Sequence, residues 1–347
     1  MGIKNLPMTK KLEASLCDEI KHDLTGAKAF TIVPFNASEV ERTGYSNYSY
    51  WRSTFRAFSR NAVAMCLVAI VALLVAFTFV QPRLPDQIDA FQINNDPSTG
   101  LPYRNVPPGE TRALKDGRAF RFLMGTNSIG QDLWANLWSG TRVSLFIAVT
   151  VAAIEAAVGI LVGVLWGYVR KLDFLFTELY NVLDNIPVTI VLILVAYIPM
   201  PNVPVLLKLI IAMSCTSWIG MARFVRNMII IIRDREYNLA SRCLGTGTFR
   251  IITKNLLPYL VSIIMLRMAL AIPANIGYEV FITYIGLGLP PSIPSLGNLV
   301  NMGRQLMMSP ALRYQLIYPT IILSIITISF YVIGNAFSDA ADPKNHV

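Results

Sequence analysis

Asn61-Ala-Val-Ala-Met-Cys66-Leu-Val-Ala-Ile70-Val-Ala-Leu-Leu-Val-Ala-Phe-Thr-Phe-Val80 is a run of twenty residues without a single charge. At about 1.5 Å of rise per residue a helix of that length crosses the ~30 Å hydrocarbon core of a bilayer. Read outward from this stretch, the chain repeats the pattern. Val143–Val169 is a second apolar span and carries one acid, Glu155. Phe174–Ile198 is a third, with Glu178, Asp184 and a helix-bending Pro187. Val203–Ala222 is the fourth, Tyr259–Gly286 the fifth, with Arg267, Pro273 and Glu279, and Tyr314–Phe337 the sixth.

Composition agrees. Of 347 residues, 54% are apolar and 15% charged, against about 25% charged in an average soluble domain, and mean hydropathy is +0.50. A soluble enzyme would interleave charge along every element, and a disordered chain would lack this much apolar side chain. The expectation is an all-α polytopic membrane protein with six transmembrane helices. Around them lie an N-terminal tail (1–60), a first transmembrane helix (61–80), an extracytoplasmic segment (81–142), a five-helix core (143–337) and a C-terminal tail (338–347). The tail of 1–60 mixes charges of both signs, and Met8–Ala29 could form a short amphipathic helix.

Orientation follows from the short loops. Arg170 and Lys171 sit between spans two and three. Arg223, Arg226, Arg233, Arg235, Arg242, Arg250 and Lys254 sit between four and five. The opposite short loops, 197–202 and 287–313, offer only Arg304 and Arg313. Basic loops stay cytoplasmic, so both termini and the 223–257 stretch are expected inside. This asymmetry accounts for most of the net charge of +9 without invoking nucleic acid. Cys17, Cys66, Cys215 and Cys243 match neither a disulfide framework nor a zinc site, and His22 and His346 lie near opposite ends of the chain. No metal site is expected. A phosphate-cradling Gly-x-x-x-x-Gly-Lys-Ser/Thr is absent, as are His-Glu-x-x-His and Gly-x-Ser-x-Gly. The chain is not expected to be an enzyme or to bind a cofactor.

The most informative loop reads Glu236-Tyr-Asn-Leu-Ala240-Ser-Arg-Cys-Leu-Gly245-Thr-Gly-Thr-Phe-Arg-Ile-Ile-Thr-Lys-Asn-Leu-Leu257-Pro258. Tyr237, Ala240 and Leu244 share a helical face, and Gly245 can adopt the left-handed conformation that ends the helix. A second helix is expected from about Thr248 towards Pro258. Helix, glycine turn and helix make a rigid cytoplasmic knob suited to a soluble partner. On the outside, Trp134 and Trp138 stand four apart beside Leu133 and Leu137. They predict a short helix lying at the interface, where indoles prefer to sit.

These residues carry a resemblance. Ala240, Gly245 and Leu257-Pro258 stand at the spacing of the EAA motif of bacterial ABC import permeases. Gly125-Thr126-Asn-Ser-Ile-Gly130-Gln-Asp132 resembles the Gly-Thr-Asp-x-x-Gly-Arg-Asp of the peptide-transport branch, the OppC/DppC-like permeases. It runs on into Gly140-Thr-Arg142-Val-Ser144-Leu145. Gly286-Leu-Gly288-Leu-Pro290-Pro291 with Pro294-Ser295-Leu-Gly297, and Asp339-Ala-Ala-Asp342-Pro343, resemble the same branch. The likeness covers about residues 120–347. It departs at Leu239 and Ser241, where the signature has Glu and Ala, and at Asn127 and Gln131, where the branch has Asp and Arg.

The resemblance implies a permease subunit of a peptide-importing ABC transporter in the bacterial cytoplasmic membrane. It implies a homologous permease as heterodimer partner, two cytoplasmic ATPase subunits that bind ATP and Mg, and an external peptide-binding protein. Glu236, Tyr237, Ala240, Ser241, Leu244, Gly245, Leu257 and Pro258 would form the ATPase-coupling loop. Gly125, Thr126, Gly130, Asp132, Trp134 and Trp138 would border the external entrance. The long N-terminal tail is more like oligopeptide than dipeptide versions. Nickel or nickel-chelate permeases share these motifs and stay open as an alternative. From another class, an ion-coupled secondary transporter would use Glu155 or Glu279 as a proton-coupling acid, and a membrane scaffold would need neither.

A charge inside a span is costly unless it faces protein or water. Glu155 and Glu279 are candidates for the translocation path, with buried interhelical bonding as the alternative for each. Arg267 and Asp184 are read as structural, and Lys208 as able to snorkel outward from its span end.

Overall fold

The computed structural model describes residues 50–341. The Met8–Ala29 helix, Cys17, the two histidines and Asp342-Pro343 fall outside them. Among the described residues five helices are long and apolar enough to cross a membrane, and a bent pair makes six if counted as one span.

The chain opens with α1 (Tyr50–Ser59), which runs into α2 (Ala62–Val80) through a cap in which Asn61 Oδ1 accepts from Ala64 N at 3.1 Å. The end of the expected N-terminal tail is therefore ordered against the bundle. Phe58 meets Phe337 edge-on with ring centroids 5.7 Å apart.

The second span is α3 (Leu133–Tyr168) and begins ten residues before the expected Val143. Its 36 residues reach about 54 Å, more than the hydrocarbon core requires. Trp134 and Trp138 are thus the first turns of a spanning helix rather than a separate interfacial one. No breaker lies between Asp132 and Tyr168, and a lone Arg142 limits an apolar window without ending a helix. The third span is broken: α4 (Arg170–Asp184) and α5 (Val188–Tyr197) meet at 81°. Pro187 lacks an N–H and disfavours helix in the residue before it, so it divides the expected Phe174–Ile198 helix instead of curving it.

The fourth span, α6 (Val205–Arg233), continues eleven residues past the expected Ala222. Its apolar side persists through buried Val225, Ile229 and Ile232 while the arginines occupy other faces. α3 and α6 lie closest along Gly159, Gly163 and Gly167. A Cβ at Gly163 would stand 2.5 Å from Ala222 O, and one at Gly159 2.5 Å from Met221 Cβ. Small residues four apart let two helix backbones approach in a lipid environment.

After α6 come α7 (Glu236–Cys243) and α8 (Thr248–Ile251). A wide helical turn over Ile252–Leu256 then leads into α9 (Leu257–Tyr284). The outer connection holds α10 (Leu296–Gln305), capped by Ser295 Oγ accepting from Asn298 N at 3.1 Å. α11 (Tyr314–Ala341) closes the bundle and runs four residues past the expected Phe337.

Outside the bundle, residues 81–132 fold into a lobe. Strands β1 (Thr111–Ala113) and β2 (Ala119–Arg121) pair antiparallel, with Arg112 opposite Phe120, over a core of Ile88, Val106, Leu114 and Phe122. This hairpin is the one departure from an all-helical chain among the described residues.

Candidate functional site

At the basic end of the bundle, α7 stands as a knob held by one buried side chain. Asn238 is fully enclosed, and its Nδ2 donates to Ile232 O at 2.9 Å, satisfying a carbonyl at the end of α6. The helix then stops as the glycine requires. Gly245 has φ of +77°, Gly245 N donates to Arg242 O at 2.9 Å, and Thr246 N donates to Ser241 O at 3.0 Å. That pair of bonds is the glycine-terminated end expected from the sequence. Below the turn, Ile251 and Leu256 are buried in one cluster with Val164, Val225, Ile229 and Ile232. The knob is therefore continuous with α3, α6 and α9.

Its outer surface is apolar. Tyr237, Leu239, Leu244 and Phe249 are exposed, Leu244 by 86% and Phe249 by 79%. Tyr237, Ala240 and Leu244 share the exposed face, as their spacing predicts, with Glu236 in the first turn of α7. Ser241 turns inward enough for its hydroxyl to donate to Tyr237 O at 2.9 Å. Leu257 and Pro258 begin α9. Around the base, Arg226 pairs with Asp173 at 2.7 Å and Arg233 with Asp234 at 3.1 Å, while Arg233 Nη1 donates to Gly167 O at 2.7 Å. The Arg233 guanidinium holds the Asp234 carboxyl below the usual range.

The outer motif is a clasp. Gly125, Thr126, Gly130 and Asp132 are all buried, and Asp132 and Trp134 line a cavity of about 360 Å3 with Arg118, Phe120 and Arg121 of the lobe. Thr126 N donates to Val106 O at 3.0 Å, Thr126 Oγ1 accepts from Val106 N at 2.9 Å, and its hydroxyl donates to Tyr103 O. Gly125, at φ of +79°, packs against the same Val106 carbonyl, where a Cβ would stand at 2.2 Å. Gly130 is also left-handed. Asp132 caps α3, accepting from Ala135 N at 3.0 Å, and burial pushes its carboxyl up to about 6. Tyr314 at the head of α11 donates to Val106 O at 2.8 Å. Trp134 and Trp138 stack edge-on with each other and with Phe77 of α2, with centroids 4.6 to 5.9 Å apart. Lobe, α2, α3 and α11 are locked together here.

Between α3, α4–α5, α6 and α9 lies a cavity of about 380 Å3 lined by Glu155, Asp184, Ser217, Arg267, Asn275 and Tyr278 among apolar neighbours. Glu279 is not part of it. It is fully enclosed beside Ser144, Ser295 and Gly297, where α9 meets α3 and the start of α10. The two acids that the sequence treats alike are thus separated. Asp184 and Arg267, read from the sequence as structural, reach the cavity with Glu155. Asp184 is answered by Arg223 at 3.9 Å. Arg267 instead stacks over the Phe224 ring at 5.0 Å. Helical phase within one span relates Arg267 to Glu279, but the relation of Arg267 to Glu155 on another helix had no signal in the chain.

Two family matches bear on this geometry. Residues 159–347, which hold the knob, α9 and α10, match the binding-protein-dependent transport system inner membrane component. Residues 49–108 match the N-terminal TM domain of oligopeptide transport permease C. The chain belongs to the binding-protein-dependent transport permease family. Its multi-pass membrane location follows from that membership and from its apolar helices. Among curated relatives, this permease is 35% identical to the oligopeptide transport system permease protein AmiD of Streptococcus pneumoniae, over 86% of this chain and 91% of the relative. It is 31% identical to the dipeptide transport system permease protein DppC of Bacillus subtilis, over 88% and 89%. It is 30% identical to the oligopeptide transport system permease protein OppC of the same species, over 89% and 94%. The resemblance to the peptide branch is thus established for nearly the whole chain. These relatives are permease subunits, that is, transport components.

Proposed function

We propose that this chain is the permease subunit of an ABC transporter that imports peptides, oligopeptides in the first instance. It forms the translocation path with a homologous permease, receives peptide from an extracytoplasmic binding protein, and couples to two ATPase subunits that hold ATP and Mg. The observation that carries this reading is mechanical. The knob with exposed Leu244 and Phe249 stands between α6 and α9, and both of those helices line the cavity that holds Glu155 and Arg267. An ATPase gripping the knob would tilt both walls of the cavity together. Both termini and the knob lie in the cytoplasm, and the 81–132 lobe lies outside. The names of the relatives, oligopeptide and dipeptide transport permeases, support the substrate class.

The test is reconstitution. Co-expressed with the neighbouring permease, ATPase and binding-protein genes, the chain should co-purify with the ATPases. The proteoliposomes should take up peptide only with ATP and binding protein present. Uptake by this chain alone, driven by a proton gradient, would instead mark a secondary transporter using Glu155. A cysteine at exposed Ser98 should react with a membrane-impermeant reagent from outside, and reaction only from the cytoplasmic side would invert the topology.

A further inference from the structure

Glu155 and Arg267 face one cavity from different helices, and neither has a hydrogen bond or an ion pair among the described residues. They stand near enough for the guanidinium to act on the carboxylate electrostatically, yet too far apart to pair. This differs from the other charges nearby. Asp184 is met by Arg223, which also donates to the Tyr180 hydroxyl. Glu279 also lacks a hydrogen-bond partner among the described residues, but it is enclosed away from this cavity. A carboxylate and a guanidinium that face one cavity without a protein ion-pair partner are left to water or to a ligand, and two opposite charges held apart can both be answered by one dipolar ligand that bridges them.

We propose that Glu155 and Arg267 form a two-ended transit site that takes the free α-ammonium and the free α-carboxylate of a short peptide. This rests on the peptide-permease reading and adds what the path recognises: the termini rather than the side chains. The carboxylate of Glu155 accepts from the ammonium. The Arg267 guanidinium, steadied over Phe224, donates to the carboxylate in the planar geometry that arginine favours. Ser217 and Tyr278 supply neutral hydroxyls to the peptide bonds between. The volume of about 380 Å3 suits a small ligand. One charge per end, in a cavity open to solvent, holds a zwitterion weakly enough to let it leave, as transit requires. Bridging would also tie α3 to α9, so an occupied path resists the tilt of these helices differently from an empty one.

The test uses the complete transporter without its binding protein, with Cys17, Cys66, Cys215 and Cys243 replaced by serine and a single cysteine introduced at cavity-lining Thr216. Maleimide labelling of that cysteine is followed with millimolar trialanine, and with the N-acetylated, C-amidated tripeptide. Free trialanine should slow labelling roughly tenfold, the factor that about 1.4 kcal/mol provides, and the blocked peptide should protect far less. Glu155→Gln and Arg267→Gln should each reduce protection by trialanine to the level of the blocked peptide. Equal protection by both peptides, or protection surviving both substitutions, would overturn the site, as would no protection at all. A second cysteine position, cavity-lining Ala274, repeats the measurement should Thr216→Cys disturb assembly. ATP-driven uptake of trialanine by the unsubstituted complex, with its binding protein restored, is scored separately. Uptake without protection removes the transit site and leaves the permease reading. Protection without uptake does the reverse.

Discussion

Asn127 Nδ2 donates to Gln131 Oε1 at 3.0 Å, an amide-to-amide bond closed off from solvent where the outer lobe joins α3. Asn127 Oδ1 meanwhile accepts from Ile129 N at 3.1 Å and Gln131 N at 2.9 Å, the work a carboxylate would do in the same turn. The two departures from the Asp and Arg of the resembled motif thus bond to each other as a neutral pair. Gln131→Arg alone buries a cation without a partner, and Asn127→Asp alone buries an anion. Each single substitution should cost about 3 kcal/mol or more, seen as lower yield and a lower unfolding midpoint of the purified permease. The double substitution should recover most of that loss. Additive losses would show that the two positions do not act as a pair.

Gly245 ends α7 in the left-handed region, and nothing lies within 4 Å of where its Cβ would be. Strain at this position therefore comes from backbone conformation alone. Gly245→Val should cost roughly 1–2 kcal/mol locally and abolish ATPase co-purification while the chain still inserts in the membrane. Gly245→Asn, which tolerates positive φ, should retain most of the coupling. Valine at 245 with normal transport would separate the turn from ATPase docking.

Gly163 faces α6 so closely that a Cβ would meet Ala222 O at 2.5 Å and Val225 Cβ at 2.7 Å. Gly163→Val must push α3 from α6 and should cost about 1–3 kcal/mol by overpacking. Since both helices also wall the cavity, uptake should fall more than membrane insertion does. Gly277 sits on α9 with open space at its Cβ position and does not line the cavity, so Gly277→Ala serves as the control that should change little.

Asp132 caps α3 from a buried position that raises its carboxyl from 3.8 to about 6. Between those values the folded chain holds a proton that the unfolded chain has lost, so stability falls as pH rises from about 4 to 6 and stays low above. The span corresponds to about 3 kcal/mol at most. Asp132→Asn keeps an acceptor for Ala135 N and removes the charge. The difference in unfolding midpoint between wild type and this variant should therefore grow in the variant's favour across that pH window. A pH-independent difference would mean that the carboxylate is charged throughout.

The third span shows where a linear reading stops. Phe174–Ile198 is apolar enough to cross, and Pro187 flags a bend, yet whether a proline curves a helix or divides it depends on what packs beside it. Here the break sets α4 beside α6, where Asp173 meets Arg226 and Asp184 meets Arg223. In α3 and α6 the error runs the other way. Hydropathy locates the part of a helix that sits in hydrocarbon, whereas backbone hydrogen bonding carries the helix on to Leu133 at one end and Arg233 at the other. Asn238 was legible only as a polar residue in a short helix, because its partner, Ile232 O, becomes a partner through the turn between α6 and α7.

By itself the sequence determined the solvent, the helical class, the side on which charge gathers, the end of α7 at Gly245, and the family. Each of these follows from local composition, or from a backbone preference that a short stretch carries with it. Tertiary structure decided which charges share a cavity. Glu155 and Glu279 look alike along the chain, but the rotation of α9 against α3 encloses one among hydroxyls and turns the other towards Arg267. That rotation is set by the fit of whole helix surfaces, which depends on residues far apart in sequence and leaves no local trace.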